Sequence, residues 1–240
     1  MLGLGIGTSS TQYSGGWLPS EETTLEAWWR NGEGITARTE LGVRYVTEWA
    51  DQSGNGHDML QDDTGEQPTY NATTGALTFD PTSDTQNLAF TGGASPTSIE
   101  LDGTFVIGIK MNPAAVSTVV LGSNAKSNEM IKVHSGSVMR VKNDTASNDF
   151  TLDSGDTKDD SYWVITRDSS NDVTLYKDGV RNPSGSAAII GTFDIDAIGV
   201  RRTNQNPFNG TVKEVVIFKA VEDVDINDLV ANVNDRLSGL

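Results

Sequence analysis

Asp51, Ser53 and Asn55 set three side-chain oxygens at alternate positions ahead of Gly56, and Asp62 stands at the twelfth position counted from Asp51. Alternating oxygens followed by a glycine for a sharp turn are the first half of a calcium loop. The same residue types have a second use, because Asp, Ser and Asn side chains also accept hydrogen bonds from the backbone of their own tight turn. Helical patterning on either side, which an EF-hand needs, is missing. The segment is therefore either a structural turn anchored by a buried Trp49 or a site for Ca2+.

Other groups with chemical potential are sparse. The chain has two histidines, His57 and His134, and no cysteine, which excludes disulfides, thiolate metal sites and thiol nucleophiles. Glu100, Leu101 and Asp102 resemble the start of the E-x-D-x-x-E run of laminarinase-type glycosidases. Those enzymes need two carboxylates flanking the scissile bond, and position 105 is Phe. Gly3, Gly5 and Gly7 lack the preceding strand and the lysine of a phosphate loop. No catalytic residues are assigned, and the chain reads as a non-enzyme. Trp17, Trp28, Trp29, Trp49 and Trp163 could stack on sugar rings. Large aromatics are more often core or interface anchors, so Trp49 and Trp163 are expected in the core and Trp17 and Trp28 at a partner interface.

The formal charge is −16, from 33 acidic and 17 basic residues. Such a field repels a phosphate backbone, so no nucleic-acid partner is expected. No apolar run approaches the roughly 18 residues of a membrane span, so no membrane partner is expected either. The start of the chain lacks the basic residues and the unbroken apolar stretch of a secretory signal.

What must position these residues is a set of strands. From Leu25 onward, short apolar runs alternate with clusters of Gly, Asn, Asp, Ser and Pro, the punctuation of an all-β chain. The clearest predicted strands are 77–79, 103–110, 117–121, 130–133, 137–141, 161–167, 173–177, 197–200 and 210–218. Val173 and Leu175 share one face, and Asp178 and Gly179 make a tight hairpin turn. One helix is predicted near the C-terminal end, with Asp225 as its cap, Gly239 as its stop, and Ile226, Leu229, Val230, Val233 and Leu237 on one face. It reads as a lid over a sheet edge. Residues 1–20 are Gly-, Ser- and Thr-rich and read as an extended N-terminal arm, with 21–240 as one domain.

Trp49, Asp51, Ser53, Gly54, Asn55, Gly56 and Gln61 resemble the W-x-D-x-S-G-N-G-x-x-x-x-Q signature of laminin G-like, concanavalin A-like jelly-roll domains. The segments around Pro68 and Leu77, the pair Tyr162–Arg167 and Leu175–Gly179, and the strand 210–218 before a terminal helix follow the order of that family. The resemblance implies an all-β, two-sheet antiparallel jelly-roll sandwich. Together with the glycine-rich start it is similar to virion proteins of marine tailed phages. On that resemblance the expected function is a capsid decoration protein. Leu2, Leu4, Ile6, Trp17 and Trp28 would dock it to capsid or other virion proteins, and homo-oligomers are possible. The alternative is a lectin-like module for surface glycans on a capsid or tail fibre.

Overall fold

The computed structural model describes residues 16–82, 85–90, 98–153, 156–182, 184 and 186–240. The first part of the chain forms β1 (Leu25–Trp29), β2 (Ile35–Glu40), β3 (Val43–Trp49), β4 (Met59–Leu60), β5 (Thr69–Tyr70), β6 (Leu77–Phe79) and β7 (Leu88–Ala89). Then come β8 (Ile99–Leu101), β9 (Phe105–Pro113), β10 (Thr118–Gly122), β11 (Glu129–Ser135), β12 (Val138–Lys142) and β13 (Ser147–Thr151). They are followed by β14 (Ser161–Arg167), β15 (Asp172–Lys177), β16 (Val180–Arg181), β17 (Ala187–Ala188), β18 (Phe193–Ile195), β19 (Ala197–Ile198), β20 (Gly210–Lys219) and the helix α1 (Ile226–Ser238).

The pairings are antiparallel and build two layers, a jelly-roll sandwich. One layer runs β1, β20, β9, β14, β15, with β16 and β17 pairing opposite ends of β15. The other runs β2, β3, β4, β7, β19, β10, β11, β12, β13. The short strands β5 and β6 bridge β3 to β20 at one end. Between the layers Ile107, Ile109, Trp163 and Ile165 meet Trp49, Leu121, Ile131 and Phe150. The tryptophans expected in the core, Trp49 and Trp163, are both there.

The first layer is buried on its outer face as well. β9 reads as a nearly unbroken apolar run because its odd-numbered residues from Phe105 to Met111 face the sandwich while Val106 faces α1. Ile226, Leu229, Val230, Val233 and Leu237 pack there against Val106, Val164 and Val216, each fully buried side chain of this kind contributing about 1.5–3 kcal/mol. A Cβ on Gly108 would lie 2.4 Å from a methyl of Val233, so glycine is what lets the helix approach. The expected apolar face of the helix is correct. The helix covers the face of the sheet, however, rather than an edge. Its cap also differs: the Asp225 side chain makes no capping bond, and its carbonyl takes the Leu229 N–H at 2.9 Å.

A buried charge pair pins the far end of the helix. Glu214 of β20 is 0% exposed and Arg236 of α1 is 7% exposed. Glu214 accepts from Arg236 Nε and, at 3.0 Å, Nη2, from Trp28 Nε1 at 2.9 Å and from the Asn31 N–H at 3.1 Å. The Trp28 ring lies between the Arg30 and Arg236 guanidinium groups, 5.1 and 4.7 Å from its centroid.

Candidate functional site

The turn at 51–58 spends its side chains on itself. Asp51 Oδ1 accepts the Trp28 and Ser53 N–H groups at 2.8 and 2.9 Å, and Oδ2 accepts the Ser53 hydroxyl and the His57 N–H. Asn55 donates its amide to the carbonyls of Leu25 and Glu26 at 3.0 and 2.9 Å. Asp62 is exposed beyond β4. Among the described residues no group of three or more His, Asp or Glu side chains is placed to hold a metal. The geometry thus gives Asp51, Ser53 and Asn55 a structural use, tying the turn to β1.

The docking residues fare differently. Leu2, Leu4 and Ile6 lie outside the described residues. Trp17 packs on Phe218 with centroids 6.0 Å apart and donates its indole N–H to Glu22 at 2.7 Å, so residues 16–20 belong to the domain rather than to an arm. Trp28 is corrected outright: it is 3% exposed, and its only polar atom is already held by Glu214. Trp29 is 0% exposed, so neither indole offers a sugar a stacking face. Neither histidine meets a hydroxyl: His57 Nε2 lies 3.1 Å from Glu26 Oε1, and His134 Nε2 3.3 Å from Arg140.

Surface chemistry collects instead where α1 stops covering the first layer. β15 turns Val173 and Leu175 into the core, as expected. Alternation then puts Asp172, Thr174 and Tyr176 on the outer face. Thr174 stands opposite Thr166 of β14, and Tyr176 opposite Arg181 of β16. The hairpin β15–β16 turns through Asp178 and Gly179 at φ 49° and 77°, the left-handed pair predicted there. The first turn of α1 raises a wall, Ile226 and Asn227, beside this stripe. Together they enclose a groove of about 340 Å3.

One end of the groove is acidic. Asp168 Oδ1 takes the N–H groups of Ser170 and Asp172, both at 2.9 Å. Asp223, on the loop before α1, accepts the Ser169 N–H at 2.9 Å and the Ser169 hydroxyl. These bonds stitch the β14–β15 turn to the approach to the helix. The floor is unspent. Thr166 and Thr174 are 4% and 7% exposed, line the groove, and their hydroxyls make no hydrogen bond among the described residues. What these two side chains expose faces the groove, so their hydroxyls are open to a partner that enters it. Arg181 is exposed and has no ion pair among the described residues.

A second concavity of about 420 Å3 lies at the other end of α1, against Leu18, Arg30, Asn31, Glu214, Arg236 and Leu240. Its buried charges are satisfied by each other, which leaves it little to offer a ligand. Sequence reasoning missed the groove because its residues come from β14, β15, β16, α1 and two loops. The one local signal was the alternation Asp172, Thr174, Tyr176.

Comparison with known proteins gives fold likeness only. No protein-family model matches the chain, and neither does any curated protein sequence. Among solved structures, domain 4 of AbnA, an extracellular arabinanase from Geobacillus stearothermophilus, solved in complex with arabinotriose, superposes with a TM-score of 0.55 at 14% identity. The match covers 88% of this chain and 97% of that one. A Trypanosoma rangeli sialidase superposes with a TM-score of 0.52 at 10% identity, over 90% of this chain and 33% of that enzyme. Both likenesses agree with the concanavalin A-like sandwich. No helix among the described residues is long and apolar enough to cross a membrane.

Proposed function

We propose that the protein is a lectin-like, non-catalytic glycan-binding module whose ligand occupies the groove between β15 and the first turn of α1. The carrying observation is the groove itself, whose floor presents the Thr166 and Thr174 hydroxyls with no hydrogen bond to any described residue. Sugar rings present many hydroxyls that both donate and accept. Carboxylates, hydroxyls, an amide and a guanidinium converging on one small cavity match that pattern. The half-buried Tyr176 ring supplies apolar contact for the carbon face of a sugar. The fold supports the reading, since the similar arabinanase domain was solved with a trisaccharide.

The capsid-decoration role rests on the sequence resemblance alone and takes second place. A glycan-binding module on a virion would satisfy both expectations, with Leu2, Leu4, Ile6 and surrounding residues as its attachment. Titration calorimetry of the full chain with neutral trisaccharides, arabinotriose and xylotriose among them, tests the groove. Tyr176→Ala and Arg181→Ala should each weaken binding about tenfold, the loss expected from one good contact of about 1.4 kcal/mol, Arg181→Ala with unchanged melting temperature and Tyr176→Ala with a small fall, since its ring also packs against the outer core. Failure of the wild type to bind any soluble oligosaccharide, or binding by both variants as tight as that of the wild type, refutes the site.

A further inference from the structure

The groove holds three carboxylates, Asp168, Asp172 and Asp223, against one guanidinium, Arg181. The positive end of the helix dipole at Ile226 adds about half a charge of the opposite sign, which reduces the negative field without cancelling it. The rest of the protein strengthens that field, since the whole chain carries a net −16. Building on the glycan-binding reading, we infer that this groove selects uncharged sugars and rejects those carrying a carboxylate or sulfate.

Two features of the geometry enforce the selection. First, the acidic oxygens are fixed rather than mobile. Asp168 is held by two backbone N–H groups and Asp223 by Ser169, so neither can swing away from an incoming anion. Second, the three carboxylates can only accept, and among the lining donors, which are Arg181, Asn227 and the Tyr176, Thr166 and Thr174 hydroxyls, only Arg181 carries a positive charge. A sugar hydroxyl satisfies a carboxylate by donating to it. The carboxylate group of a uronate, or a sulfate group, has no proton to give, and placed here it sets like charges together at short range in a partly desolvated cavity, the arrangement by which binding sites exclude wrong partners. Arg181 could pair with one such anion, but it stands at the end of the groove away from the acidic loops, opposite Tyr176. A chain of sugar units long enough to reach Arg181 still lays its other acidic groups over Asp172.

The test uses matched neutral and acidic probes on the full chain. Trigalacturonate is compared with its methyl ester, and glucuronate-substituted xylotriose with plain xylotriose. In each pair that binds, the acidic member should be at least tenfold weaker at low salt. The gap should shrink at 1 M salt, where screening acts within about 3 Å, and should shrink again in Asp172→Asn. Acidic probes that bind as well as their neutral partners, while Tyr176→Ala still weakens both, overturn the selectivity and leave the groove standing. Binding that is absent for every probe, or indifferent to Tyr176→Ala, removes the groove and the selectivity together.

Discussion

Replacing Arg236 with Met should destabilise the protein far more than its place near the end of a surface helix suggests. The substitution keeps most of the side chain's volume and deletes its charge. Glu214 is then left 0% exposed with two donors, Trp28 Nε1 and the Asn31 N–H, where it had four. Breaking a buried pair by removing one partner costs about 3–5 kcal/mol, because the other charge stays buried and uncompensated. The two remaining donors place this case toward the lower end. In a chain of this size 1 kcal/mol moves the melting temperature by about 2–4 °C, so the fall should be roughly 6–12 °C. The double variant Arg236→Met with Glu214→Gln removes the stranded charge and should recover most of the loss. Thermal and urea unfolding of the three proteins decide the matter. A loss below about 1 kcal/mol in the single variant, or a double variant no better than it, refutes the claim that this pair fastens the helix to the sheet.

Three further outcomes follow from other parts of the structure. Chelation with EDTA should leave the melting temperature unchanged, because the turn at 51–58 closes on its own donors. Asp51→Ala should lower stability by about 2–4 kcal/mol through the N–H groups it strands, and a chelator-dependent shift would instead restore the calcium reading. The hydrogen bond from Arg140 holds the Asp149 carboxyl below its ordinary value. Asp149 therefore contributes stability that is present above the ordinary carboxylate range, near pH 4, and is lost as pH falls through its lowered value. Arg140→Gln should flatten the acid limb of a stability–pH profile and leave pH 6 to 8 flat, and an unchanged acid limb would refute this. Deleting residues 1–15 should leave the melting temperature in place, whereas deleting 1–20 removes Trp17 from Phe218 and should cost about 1–2 kcal/mol. Equal melting temperatures would return Trp17 to the arm.

Much of the sandwich was legible in the sequence because its central strands carry strong alternation or continuous apolar runs. β6 and β14 coincide with the strands predicted at 77–79 and 161–167, and the Asp178–Gly179 turn was marked by residues that tolerate positive φ. The hairpin β2–β3 was not found. Its turn uses Leu41 and Gly42 at φ 49° and 83°, and a leucine carries no turn signal. β13 was missed for a related reason, since only Phe150 of its five residues is buried. Trp28 was misplaced because its partner, Glu214, lies 186 residues away. The groove was invisible for the same reason. Asp168 and Asp223 read as ordinary turn residues, and only the folded chain brings them beside β15.

A sheet sealed on both sides leaves a protein few places to vary without risk. Here the outer seal is incomplete, and the gap falls at the one margin where a strand end, a loop and a helix start meet. Substitutions at Tyr176, Arg181, Asp223 or Asn227 alter what that margin presents while leaving the sandwich core untouched. The chain therefore separates what must stay constant from what is free to change. If the groove binds the proposed glycan, its preference can drift by mutation, or be redesigned at the bench, on a scaffold whose stability is set elsewhere.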